Sequence, residues 1–172
     1  MTTDTTEKGL ETLILRHLTG TDGLAVAPGV ADTRGNYGGN GYIAGSAQDF
    51  DRAHALDVSQ LFAFLRVTQP DAFARLALAD ADDTKGDTKD INRQKFLARL
   101  SGEIGKRGVI DVLRKGIDHH PAGHFDLFHG TPSPGNAKAA ALHAQNRFSV
   151  TRQLAYSLDA ARRALDLGLF IN

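Results

Sequence analysis

Three carboxylates hold positions that suggest chemistry. Asp166 lies in the run ALDLGLFI, where Leu165, Leu167, Leu169 and Ile171 alternate with period two on one face and the acid falls on the other. Burying an acid in such a strand without a partner costs on the order of several kcal/mol, so the run predicts a partner for Asp166. Glu7 and Glu11 lie one turn apart near the start of the helical pattern EKGLETLILRHL. On a helical wheel both fall beside the apolar face made by Leu10, Leu13, Ile14 and Leu18, not opposite it. Acids in a first turn also complement the helix dipole, so a dipole role and a site-facing role both fit.

A second group is basic. Arg93, Lys95, Arg99, Lys106, Arg107, Arg114 and Lys115 stand against Asp90, Glu103 and Asp111 in one helical stretch. This is the chain's candidate phosphate-facing patch, with a solvated helix face as the alternative. A third group is imidazole: IDHHPAGHFDLFHG carries His119, His120, His124 and His129, four of the seven histidines. Their spacing matches no defined zinc pattern, and no cysteine completes a structural site, so the stretch reads as a loop entering a strand at His124–His129.

Other motifs carry less. Gly39-x-Gly41-x-x-Ala44 has the outline of a dinucleotide fingerprint, but no strand precedes it closely enough. The acidic run ADADDTKGDTKD lacks the closing glutamate of a calcium loop and reads as a solvated connection. No G-x-x-x-x-G-K-[ST] and no G-x-S-x-G occurs, so neither a P-loop nor an esterase nucleophile is supported.

The elements that must position these groups follow from periodicity. Residues 6–19 form a helix stopped by Gly20, and 20–45 form a glycine-dense loop around NYGGNGYIAG. Residues 53–79 read as two helical pieces broken at Pro70, and Ile91–Ile104 and Val109–Leu113 as another helical pair. TPSPG is a turn, Asn136–Gln145 a short alanine-rich helix, and Phe148–Ser157 and Ala164–Ile171 two strands. Asn172 has the character of a residue entering a turn.

Bulk properties narrow the classes. The 172 residues are 41% hydrophobic and 23% charged, an ordinary globular composition. No run approaches the roughly 18 apolar residues of a spanning helix, which argues against a membrane location. The absence of cysteine makes a cytoplasmic setting the default expectation. Twenty basic residues balance twenty acidic ones, so any contact with nucleic acid must rest on a local patch.

A helix with acids near its start, then a strand, then a strand bearing an Asp, is the order in which a PD-(D/E)xK nuclease core begins. The runs TEKGLETLILRHLTG, INRQKFLARLSGEIGKRGVIDVLRKGIDH and, most specifically, HAQNRFSVTRQLAYS with ALDLGLFIN resemble the N-terminal region of the restriction (R) subunit of type I restriction-modification enzymes. The resemblance covers essentially the whole chain. It implies an α/β, restriction-endonuclease-like fold in one partial domain, 1–172, with a helix- and loop-rich insertion over 20–135 around an incomplete mixed sheet.

The resemblance also implies roles. Asp166 would be the metal-binding aspartate, and Glu11 or Glu7 would shape the site, with Glu11 preferred. The cofactor would be Mg²⁺, held between the Asp and a Glu, with a Lys positioning the attacking water. In the family an N-G-L-P turn and an E-L-K strand follow, so ending at Asn172 implies a truncated, inactive piece without the Glu, the Lys or the ATP-driven motor. ATP would then enter only through that missing motor domain. Partners would be DNA, contacted through Arg93, Lys95, Arg99, Lys106 and Arg107, and the methylase and specificity subunits of the same complex. The alternative expectation is a non-catalytic module that binds DNA or a partner subunit through the basic stretch. A nucleotide-binding enzyme using the glycine-rich loop is a third.

Overall fold

The computed structural model describes residues 7–20, 40–76, 87–158 and 163–172. The architecture is mixed α and β, in two compact units. One contains residues up to Gln60 together with Arg147–Ile171, and the other contains Leu61–Asn146 with Asn172.

The first unit is built on a three-stranded sheet in the order β1-β6-β7. Strand β1 (Ile43–Ala44) runs parallel to β6 (Phe148–Ala155), and β7 (Ala164–Ile171) runs antiparallel to it. As the central strand, β6 is buried on both faces, with Ser149 and Thr151 alternating with Val150. Helix α1 (Glu7–Thr19) packs on β1 and β6. A short antiparallel pair, β2 (Phe50–Asp51) and β3 (Leu56–Asp57), completes this unit, with Phe50 against Phe170 at 5.7 Å between ring centroids.

Where 53–57 were expected to be helical, Leu56 and Asp57 form β3, and helix α2 (Val58–Thr68) begins one residue later. Its cap explains the boundary. The Asp57 carboxylate accepts a hydrogen bond from the Gln60 N–H at 3.1 Å, satisfying one of the donors that a helix start leaves free. The glycine-rich loop also yields β1, a strand too short for any periodicity to announce; residues 21–39 of that loop lie outside the described residues.

Among the described residues, the regular elements of the second unit are helices and one hairpin. Helix α2 ends before Pro70, which opens α3 (Pro70–Arg75) at its first position, where a missing N–H costs nothing. The expected continuation to 79 lies outside the described residues. Helix α4 (Asp87–Arg107) begins earlier and ends later than Ile91–Ile104, taking in the end of the acidic run and passing through Gly102 and Gly105. Helix α5 spans Val109–Lys115.

The histidine stretch, expected as a loop and a strand at 124–129, instead forms a hairpin of β4 (Ile117–His119) and β5 (Gly123–Phe125). Helix α6 (Ala137–His143) is capped by Asn136, whose side chain accepts from the Ala139 N–H at 3.0 Å. Phe64, Leu65, Phe96, Leu97, Leu100, Val112, Ile117 and Phe125 form the core of this unit, with Phe96 edge-on to Phe125 at 5.2 Å.

Candidate functional site

The carboxylates singled out by the sequence fall on α1 and β7. Register fixes the faces of β7. Val150 opposes Leu169, Thr151 opposes Gly168, and Arg152 opposes Leu167. Leu165, Leu167, Leu169 and Ile171 therefore share one face, and Asp166, Gly168 and Phe170 share the other, as the period-two pattern implied. Burial differs from expectation. Asp166 is exposed, not buried, and among the described residues it makes no hydrogen bond or ion pair. Leu165, Leu169 and Ile171 are exposed as well, since nothing among the described residues covers that face of β7.

Glu11 has the opposite environment. It is only 5% exposed, and α1 turns Glu11, Leu15 and Thr19 inward while Leu10, Leu13 and Ile14 face solvent. The apolar face expected to be the buried one is thus largely outward. The carboxylate of Glu11 is held by β6: Arg152 Nη2 donates to Oε2 at 3.2 Å, and Gln153 Nε2 donates to Oε1 at 3.2 Å and to Oε2 at 3.3 Å. Consecutive strand residues normally point to opposite faces. Here Gln153 has φ of 49°, a left-handed conformation that brings both neighbours onto one carboxylate. Arg152 opposes Leu167 and Leu154 opposes Leu165, so by count Gln153 falls across from Asp166, the one step at which the pairing of β6 with β7 is interrupted. Gln153 itself forms no pair with β7, and its amide goes to Glu11, which is buried and paired, while Asp166 is exposed. The side chain of Glu7 lies outside the described residues.

The basic group resolves into ion pairs within α4 and α5. Glu103 receives Arg99 at 3.4 Å, Lys106 at 4.0 Å and Arg107 at 3.3 Å. Asp111 receives Arg107 at 2.7 Å and Lys115 at 2.6 Å. These pairs hold the Arg107 guanidinium pKa above its usual range and that of Asp111 below the usual carboxylate range. Arg93 lies over the Phe62 ring at 5.7 Å. Lys95 and Arg114 make no ion pair among the described residues.

No group of three or more His, Cys, Asp or Glu side chains that could hold a metal occurs among the described residues. His124 is instead engaged with Asp118 at 2.8 Å and Asp126 at 3.6 Å. His119 packs against Phe96, and burial lowers its pKa, with the charge of Arg99 adding to the effect. The glycine fingerprint is not formed either. After Gly41 the chain enters β1, β2 and β3, and no helix begins before Val58.

One buried acid went unnoticed in the sequence. Asp57 is 3% exposed, caps α2, and accepts the Ser149 hydroxyl at 3.1 Å. Burial pushes its pKa up, opposed by the bonds from Gln60 and Ser149. Beside it, the buried Thr151 Oγ1 has no hydrogen-bond partner among the described residues, and a Cβ on Gly45 would collide with that oxygen. An Asp directly before the apolar-periodic run VSQLFAFL is a helix-start signature that could have identified the cap.

Comparison of the chain with protein-family models, with curated proteins and with solved structures finds no match.

Proposed function

We propose that this chain is the N-terminal part of a restriction-endonuclease-like nuclease domain, from the R subunit of a type I restriction-modification enzyme, and that Asp166 is a Mg²⁺ ligand of its centre. The observation that carries the reading is Asp166 itself. Asp166 is exposed on the strand face away from the leucines, and its carboxylate makes no hydrogen bond or ion pair among the described residues, which leaves it open to a ligand. Mg²⁺ takes one or two carboxylates and keeps several waters, so one open carboxylate fits it. Glu11, with both oxygens engaged, does not fit as a direct ligand.

Bound at Asp166, the ion would stabilise charge on a scissile phosphate. The outer edge of β7 is unpaired among the described residues, so a strand of the E-L-K pattern could add there and supply a second carboxylate and a lysine. On this reading the role of the whole enzyme is ATP-dependent cleavage of unmodified foreign DNA in the cytoplasm. It would act with methylase and specificity subunits, and ATP would be used by a separate motor domain.

The test is nicking of supercoiled DNA in Mg²⁺ by this chain joined to an N-G-L-P turn and an E-L-K strand. Nicking is expected, and Asp166→Ala is expected to abolish it. Nicking that persists in Asp166→Ala overturns the reading.

A further inference from the structure

Resting on the reading above, we propose that Glu11 is a positioning residue and not a ligand: by holding the Gln153 amide it keeps that side chain off Asp166 and leaves the Asp166 carboxylate open to a divalent cation. The argument begins with register. In a regular antiparallel pair the side chains of Gln153 and Asp166 would stand side by side on one face, with Cβ atoms about 5 Å apart. A glutamine amide at that separation would donate to the carboxylate and occupy it. Instead Gln153 adopts φ of 49°, which a β-substituted residue takes up only when surroundings impose it. The contact that holds it there is with Glu11: both oxygens of the buried carboxylate accept from Gln153 Nε2.

Arg152 shares the task, since its guanidinium neutralises Glu11 and makes burial of that charge tolerable. A local strand distortion that re-aims a side chain beside a functional residue is a recognised use of irregular pairing. Here the re-aimed side chain is the one removed from Asp166. The resemblance to the nuclease family implies only that Glu11 or Glu7 shapes the metal site. The geometry points to an effect exerted through Gln153.

Mn²⁺ is the probe, followed by site-specific broadening of the Leu165 and Leu167 amide signals in the full chain. Broadening is expected in the parent and absent in Asp166→Asn. Broadening there that ignores Asp166→Asn defeats the nuclease reading itself. Glu11→Gln keeps an oxygen for Gln153 and is expected to leave Mn²⁺ affinity unchanged, whereas a lost ligand would weaken it by about tenfold or more. Glu11→Ala frees the amide and is expected to weaken binding several-fold, and adding Gln153→Ala is expected to restore it. Gln153→Ala alone, which removes the amide without unpairing Arg152, is expected to bind at least as tightly as the parent. With Asp166 dependence intact, a tenfold loss in Glu11→Gln, weaker binding in Gln153→Ala, or no recovery in the double variant overturns the positioning role while leaving the nuclease reading standing.

Discussion

Asp57 shows how much a single buried carboxylate can be asked to do. One oxygen caps α2 through the Gln60 N–H and the other receives the Ser149 hydroxyl, so its hydrogen bonding is largely satisfied while its charge is not. Burial is the largest influence on its pKa and raises it, and the nearby charge of Asp49 acts in the same direction, against the pull of Arg147. The folded protein therefore holds this proton more tightly than the unfolded chain does. The stability that Asp57 contributes is fully present below the unfolded value of about 3.9 and is lost as pH rises through the higher folded value. Asp57→Asn keeps a capping oxygen and presents an amide to Ser149 without a charge to desolvate. Measured by urea denaturation, the stability of Asp57→Asn relative to the parent should improve as pH is raised from the unfolded value towards neutrality. A difference that stays flat or worsens over that range would show that the buried carboxylate is not penalised.

At the scale of elements, α1 separates what periodicity can say from what it cannot. A helix over these residues was legible, and so was the closeness of Glu11 to an apolar stripe. Which stripe faces inward was not. Leu10, Leu13 and Ile14 outnumber the single leucine of the other face, yet Leu15 is 2% exposed and is flanked inward by Glu11 and Thr19. A helical wheel counts apolar residues, whereas burial here follows the partners that β6 offers, a guanidinium and an amide for the acid. Leu15→Ala should cost about 2–5 kcal/mol, as for other buried leucines. Leu10→Gln and Leu13→Gln should each change stability by no more than about 0.5 kcal/mol, the range of surface substitutions. Denaturation midpoints showing the reverse order would mean that α1 is rotated about its axis.

The strands carry the same lesson. Alternation in ALDLGLFI correctly set Asp166 on the face away from the leucines, because register has period two. It could not say which faces of β7 the rest of the chain covers, and so it wrongly predicted burial for the acid. The left-handed Gln153 had no local signal, since the residues that commonly mark that conformation are glycine and asparagine. It arises from a contact between residues 142 positions apart, which no window of sequence spans.

For the whole molecule, a formal net charge of zero gives no general attraction to DNA, so on the nuclease reading affinity would come from cations left free by their neighbours. Along α4 and α5 most are not free. Glu103 and Asp111 between them engage Arg99, Lys106, Arg107 and Lys115. A paired cation that moves to a phosphate must first give up its carboxylate, so its net gain is small. Arg107 is the extreme case, since it also donates to the Gly116 carbonyl at 3.1 Å and so ties the end of α4 to the end of α5.

Duplex binding followed by fluorescence anisotropy across a salt series separates the two roles. If the stretch contacts phosphate, Lys95→Gln and Arg114→Gln should each reduce the slope of log affinity against log salt by about 0.9, the contribution of one phosphate contact. Arg107→Gln should leave that slope nearly unchanged and instead lower the denaturation midpoint, because it removes one of the two cations held by Asp111 and opens the Gly116 contact. A slope reduced by Arg107→Gln and untouched by Lys95→Gln would mean that binding rearranges these ion pairs, and that the resting charge pattern does not identify the DNA-facing surface.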